Sequence, residues 1–529
     1  MPDSPPRSTL YRGGRVRSPQ DPFATALLVV DGTVAWVGQE GAADSLDADT
    51  TVDLEDAWVA PAFVDAHVHA TSTGLALTGL DLTGCPSLAE ALRRLADHSR
   101  RARGGAVLGT GWDESLWPER RAPTAAELDR ASFGGVVYLA RTDVHSAVAS
   151  SALLAACPEA RAMTGYLPDG LVTQEAHHAV RRVARESLSL AQRRGLQRTA
   201  LDRAAALGIA CVHECGGPEI AGEADFVELL ALEHPVERIG YWGELGAVER
   251  ARDLGAAGAA GDLFVDGALG SRTACLHEPY SDSPTTTGRS YLDASQVAEH
   301  VIACTEHGLQ AGFHAIGDAA LALVDAGLRE AEQRRGTEQL RGARHRVEHL
   351  EMPSAALLEL LGRLGVVASV QPAFDARWGG AEGMYAERLG TERARGMNPF
   401  AAAGAAGVAL ALGSDSPVTP LDPWGTVRAA VQHRTTGSGI SARAAFSAHT
   451  RGGWRAARRD DEGELTPGAP ATFAVWQVQG ELVVQAPDDR VAGWSTDARA
   501  GVAGLPDLTG PDPVCLRTVV QGRDAYVRS

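Results

Sequence analysis

The 529-residue chain contains no lysine; all 49 of its basic residues are arginine. That absence excludes a Schiff-base lysine, a phosphate loop built around its lysine, and a carboxylated lysine bridging two metal ions. Positive charge is in short supply as well. Acidic residues number 67, so the formal net charge is −18. Nucleic acid and anionic membrane surfaces, which want basic patches, are therefore poor candidates for the main partner. The seven cysteines (Cys85, Cys157, Cys211, Cys215, Cys275, Cys304 and Cys515) form no Cys-x-x-Cys pair, and Cys211 and Cys215 do not have zinc-ribbon spacing. Reduced thiols and a cytoplasmic setting are expected. The opening Met-Pro-Asp-Ser-Pro-Pro lacks the layout of a secretory signal, and the early apolar stretch Ala24–Val30 is too short to span a bilayer. What the chain does have is apolar content, 44 % of residues, enough for a large core.

Both ends read as short strands. Leu27–Val30, an Asp31-Gly32 turn and Val34–Val37 give a hairpin signal. Ala471–Trp476, Leu482–Val484 and Leu516–Val520 give the same signal near the C-terminus. Neither end has enough strands to bury a core alone. A small composite β-sandwich from 1–60 plus 460–529 is the expectation. Between them, helical and strand patterns alternate, the signature of βα units. Eight candidate strands (Ala62–Val68, Ile209–His213, Ile239–Trp242, Leu263–Val265, Gln310–Phe313, Arg346–His349, Val366–Val370 and Val408–Leu412) match the number that closes a (β/α)8 TIM-type barrel over 61–459. About 140 residues separate the first two, where a βα unit needs about 30, so an insertion or lid subdomain is expected over 75–200.

The chemistry-bearing residues sit at strand ends, where barrel active sites lie. In Ala62–His69, residues two apart share a face, so His67 and His69 present two imidazoles side by side. His314 ends the fifth candidate strand and His349 the sixth; the eighth delivers Asp415. Singly, each could be a surface pair, a turn-bonded histidine or a helix cap. Together they are five metal-competent side chains at one barrel mouth, suited to zinc or a similar divalent ion.

The order His-x-His, His, His, Asp, together with the split β domain, resembles the amidohydrolase superfamily. Longer strings narrow the likeness to its N-substituted formamide deformylase-like branch: Phe264-Val265-Asp266-Gly267-Ala268-Leu269-Gly270-Ser271-Arg272-Thr273, His314-Ala315-Ile316-Gly317-Asp318, and Gly413-Ser414-Asp415 through Asp422-Pro423. Trp112-Asp113 and Arg141–Ser146 resemble that branch's insertion. The likeness runs over nearly the whole chain. Many members carry a bridging lysine on the fourth strand; here Asp262 stands in its place. The shorter carboxylate favours one metal ion over two. A two-metal site bridged by Asp262 or Glu175 stays open, with His314 and His349 then holding the second ion.

The resemblance implies hydrolysis of a carbon–nitrogen bond, amide or N-formyl, in a small-molecule substrate. The expected centre is His67, His69, His314 and Asp415, with Asp415 as general base toward a metal-activated water. His349 would be a further ligand or would polarise the scissile carbonyl. Arg272 could bind a substrate carboxylate or pair with Asp266 or Asp318. Trp112, Asp113 and His145 could form a lid or simply pack within the insertion. His213, Gln371, Phe374, Asp375, Trp378 and Trp242 could shape the pocket, while His177-His178 reads as a solvated pair. Deamination, decarboxylation or isomerisation on the same scaffold, and a non-catalytic ligand-binding relative, are the competing readings. A homodimer follows from base rate alone.

Overall fold

The computed structural model describes residues 8–114, 117–141, 146–485, 494–495 and 504–529. Eight short parallel segments form one sheet: β1 (Phe63–Val68), β2 (Ile209–Gly216), β3 (Glu237–Trp242), β4 (Gly258–Ala259), β5 (Gln310–Ala315), β6 (Arg346–His349), β7 (Val367–Val370) and β8 (Ala409–Leu412). Each pairs with its neighbours in chain order. The ring closes where Val68 bridges Ser416, the Asp415 amide donates to His67 O (2.8 Å) and the His69 amide to Ser416 O (3.0 Å). Strands β1, β2, β5, β6 and β7 are buried at every position, as expected for parallel strands covered on both faces.

The intervening helices carry their own start and stop signals. Helix Ala294–Glu306 opens with a reciprocal Asp293/Gln296 capping box. Helix Ala355–Leu364 is capped by Ser354, which accepts the Leu357 amide, and ends at the left-handed Gly365. The fourth strand differs from the sequence reading. It lies at Gly258–Ala259, not Leu263–Val265. Gly261 then turns the chain at φ +80°, and Leu263–Val265 resumes pairing with β5 through Phe264 and His314. The small residues at 258–260 carry no β-branched signal, so the apolar triplet after the turn drew the assignment.

Strands from both chain ends make two further sheets. One is ordered Thr33–Gly38, Ala26–Val30, Ser8–Arg12, Thr50–Asp53. The other is ordered Arg15–Val16, Trp58–Pro61, Phe473–Gln477, Val514–Val520, Arg523–Val527. Tyr11, Leu27, Val29 and Val34 from the first share a core with Val59, Phe473, Val475 and Val519 from the second, giving a composite β-sandwich.

Contacts divide the chain into two units, 1–69 with 201–529, and 70–200. The second has its own five-stranded sheet (Leu80–Asp81, Val107–Trp112, Val137–Arg141, Ser146–Ala149 and Leu171–Thr173) and its own apolar clusters. Among the described residues no helix is long and apolar enough to cross a membrane.

Candidate metal centre

Strand alternation brings His67 and His69 to one face of β1, as the sequence implied. Gly413 lets the loop after β8 come against β1, since a Cβ there would lie 2.7 Å from His67 N. Asp65 fastens that loop, its Oδ1 accepting the Ser414 amide (2.8 Å) and the His67 amide (3.3 Å). Burial pushes the Asp65 carboxyl up to about 6 in spite of these donors.

Four side chains then converge. His67 Nε2 lies 3.3 Å from Asp262 Oδ1 and 3.6 Å from Asp415 Oδ1. His69 Nε2 lies 3.3 Å from Asp262 Oδ2 and 3.1 Å from Asp415 Oδ1. His349 joins from β6, its ring centroid 5.1 Å from that of His67 and 4.4 Å from that of His314. Both His349 (φ +70°) and Asp415 (φ +53°) hold left-handed backbone, costly for non-glycine residues and concentrated at functional sites.

Two sets of ligand atoms lie mutually within 4.8 Å here: His67, His69 and Asp415, and His67, Asp262 and His349. His67 is common to both. His314 enters neither set; its Nδ1 is 3.8 Å from Asp266 Oδ1.

A divalent cation fits this cradle. His67 Nε2, Asp262 Oδ1 and Asp415 Oδ1 are buried with no hydrogen-bond partner among the described residues, although buried polar atoms are normally paired. The electrostatics ask for positive charge. Burial pushes the His67 imidazole down, but Cys215, Asp262 and Asp415 outweigh it and hold it well above its ordinary value. His69 is raised in the same way by Asp415 and Asp262 against its burial. Burial pushes Asp262 up, yet the surrounding imidazoles of His67, His69 and His314 hold it well below the carboxylate range. Burial, and then the neighbouring His349 ring, pull His314 down to about 3. A cation would meet the demand of the carboxylates while leaving the imidazoles neutral, as ligands must be.

Beneath His67 lies a network that strand reading did not find. Its Nδ1 is 3.0 Å from Glu348 Oε2. Glu348 accepts two bonds from Arg346, whose guanidinium also donates to Ala66 O (2.8 Å) and His213 Nδ1 (3.2 Å) and lies 4.0 Å over the Tyr241 ring. Cys215 falls with His67 and Glu348 in a third set within 4.8 Å. A cation there would face the buried guanidinium, and burial pushes the Cys215 thiol up to about 12, so this set suits a metal less well.

The other candidate residues have definite places. Gln371 Oε1 accepts from His349 Nδ1 (2.7 Å), its amide oriented by a bond to Ser369 O. His213 is fully buried behind β1. Arg272 pairs with Asp282, not with Asp266 or Asp318. Asp266 instead accepts the amides of Cys275, Ile316 and Gly317 while burial pushes it up to about 7. Asp318 accepts the amides of His277 and Ala319 at a helix start. Asp375 accepts the Arg434 amide (2.7 Å) and faces His433. Phe374 stacks on His349 and Trp378 packs on Phe374, whereas Trp242 packs on Phe226 with its Nε1–H on Glu244.

Five residues singled out in the sequence belong to the 70–200 unit. Trp112 is buried against Trp117, with its Nε1–H on Leu139 O. Asp113 faces Arg141 at 3.4 Å. Glu175 is exposed on its helix. His177, read as solvated, is in fact buried and bonded to Tyr138 Oη at 2.7 Å; its helix turns that side to the unit's core. His145 lies outside the described residues.

Comparison with known proteins agrees with this architecture. The profile of the amidohydrolase family matches residues 50–526. The chain is 29 % identical over 501 residues to Protein LONG AFTER FAR-RED 3 of Arabidopsis thaliana, covering 86 % of this chain and 84 % of that one. It is 23 % identical over 450 residues to the N-substituted formamide deformylase of Arthrobacter pascens, covering 78 % and 81 %. The crystal structure of an uncharacterized metal-dependent hydrolase from Pyrococcus furiosus superposes with a TM-score of 0.77 at 26 % identity, over 88 % of this chain and 98 % of that one. With a family match spanning most of its length and a barrel mouth lined by histidines and aspartates, the chain belongs to the amidohydrolase family and is a metal-dependent hydrolase.

Proposed function

We propose that the protein hydrolyses a carbon–nitrogen bond, amide or N-formyl, in a small molecule, at a single divalent ion, zinc by ligand type. The observation that carries this reading is the convergence of the three orphaned atoms, His67 Nε2, Asp262 Oδ1 and Asp415 Oδ1. His67, His69, Asp262, His349 and Asp415 would hold the ion, with His314 beside them. One ion is favoured because both ligand sets share His67, and a single lone pair serves a single ion. When bound, the ion supplies an acidified water and a Lewis acid for the substrate carbonyl.

The chain's own residues do the rest. Asp415, anchored to β1 through its backbone amide, takes a proton from the attacking water and returns it to the leaving nitrogen. Asp262 stands 3.3 Å from both His67 Nε2 and His69 Nε2, placed to share an ion with them. Gln371 accepts the Nδ1 proton of His349, which leaves Nε2 as a lone pair. That favours a ligand role for His349 over polarisation of a carbonyl. The likeness to a formamide deformylase supports the substrate class.

Elemental analysis of protein purified without added metal tests the centre. About one ion per chain is expected, lost in His67→Ala. Asp415→Asn should lower kcat by about 10²- to 10⁴-fold, the usual worth of a proton-transfer group. Assays of an N-formyl and amide panel should release formate or carboxylate with an amine. Release of ammonia from an amino-heterocycle, or of carbon dioxide, would overturn the bond assignment, and an absence of metal would overturn the centre.

A further inference from the structure

Arg346 and Glu348 are both fully buried, which is expensive unless each charge is paired and hydrogen-bonded. Their arrangement meets that condition and leaves Glu348 Oε2 able to accept a further bond. Arg346 Nε donates to Glu348 Oε1 (2.5 Å) and an Arg346 Nη2 proton to Oε2 (3.0 Å). Glu348 Oε2 then lies 3.0 Å from His67 Nδ1. A carboxylate clamped by a guanidinium accepts and does not donate. The shared proton therefore sits on His67 Nδ1, so that in the neutral ring the lone pair is on Nε2, facing Asp262 and Asp415. Arg346 reaches further, to the carbonyl of Ala66, the residue before His67. The same guanidinium therefore holds both the ring's partner and the ring's own backbone.

We propose that Glu348 and Arg346 are positioning residues for the metal centre. Glu348 fixes the tautomer and direction of His67, and Arg346 keeps that carboxylate charged and in place. This rests on the reading that His67 is a metal ligand. It differs from a plain core ion pair in what its loss removes: affinity for metal, and not stability alone. Partners of ligating histidines carry roughly 10- to 100-fold in metal affinity.

The test uses full-length protein stripped by chelation. Zinc affinity is measured by competition with a chromophoric chelator, the cobalt-substituted protein gives a visible spectrum, and the melting temperature is recorded. Glu348→Gln keeps the acceptor oxygen but removes the charge. Glu348→Asp keeps the charge opposite Arg346 but is one methylene short of His67 Nδ1. Glu462→Gln, at a buried carboxylate paired with Arg459, reports general destabilisation. Both Glu348 variants should bind zinc about 10- to 100-fold more weakly with altered cobalt bands, while Glu462→Gln binds as the parent does. If Glu348→Gln does not fold, Glu348→Asp decides, because it leaves no unpaired guanidinium. Unchanged zinc affinity in a folded Glu348 variant overturns the proposal even if the melting temperature falls. A parent protein that binds no zinc overturns the metal centre itself and this proposal with it, a result distinguishable from the other.

Discussion

His67 and His349 reach the same centre from different strands of the barrel, and each has an acceptor behind its Nδ1. The acceptor for His67 is a carboxylate in a buried ion pair, closed in by Arg346, His213 and Tyr241. The acceptor for His349 is a neutral amide, and Phe374, itself packed on Trp378, stacks on the His349 ring. A charged acceptor makes an imidazole a stronger donor to a cation, but it cannot be buried without a counter-charge. A neutral amide needs no such support. The β1 side of the site is thus committed to one arrangement through several strands, while the β6–β7 side has one replaceable hydrogen bond.

The widest gap between the two histidines should appear in metal content. His67 belongs to both ligand sets and His349 to one. His67→Ala should lose the ion entirely, and His349→Ala should keep a weakened, measurable fraction. Equal loss by elemental analysis would erase the distinction. Stability should show the next largest difference. Arg346→Met strands the Glu348 carboxylate and should cost about 3–5 kcal/mol in urea unfolding. Gln371→Leu strands only the His349 N–H and should cost about 1–3 kcal/mol. Similar costs would mean that the ion pair has no special weight.

The smallest effect, taken per unit of pH, concerns a third histidine just before β6, His345, which serves neither anchor. Its Nδ1 accepts the Ala311 amide (2.9 Å) and its Nε2 meets the Thr305 hydroxyl (3.0 Å). Burial, helped by His300 and Arg458, pulls it down to about 3. Between that value and about 6.5 the unfolded chain binds the extra proton, so its stabilisation is full above pH 6.5 and drains away as pH falls toward 3. His345→Gln should flatten the acid limb of the stability profile by up to about 1.4 kcal/mol per pH unit.

Strand period made part of this site legible. His67 and His69 stand two apart at the end of an apolar run, and Asp415 follows another, so local pattern alone placed them at the mouth. Asp262 was legible only through the resemblance, as the residue standing where a lysine was expected. The network around Glu348 was not legible. Alternation sets Arg346 and Glu348 on one face and His349 on the other, which separates Glu348 from His349. The left-handed backbone at His349 and Leu350 (φ +70° and +49°) breaks that alternation, so adjacent residues both reach the His67 ring. No residue type at these positions announces such a turn. The signal that was available is the charge itself: Arg-x-Glu inside a strand that ends in a ligand candidate must find partners if it is buried. The ion-pair partner of Arg272 was missed for a different reason, because Asp282 lies in a loop that no period fixes.

The sheet that joins the two ends of the chain has a bearing on synthesis. Trp58–Pro61 takes its antiparallel neighbour from Phe473–Gln477, roughly 400 residues downstream. At about 5–20 residues per second, the first of these strands leaves the ribosome some 20–80 s before the second exists. During that interval Trp58 and Val59, buried in the finished protein, have only the two-residue strand Arg15–Val16 beside them in their sheet. Strand β1, which carries His67, follows directly from that waiting segment. Nascent chains halted before residue 473 should therefore keep Trp58–Pro61 open to protease and to chaperones, whatever the later βα units have already achieved.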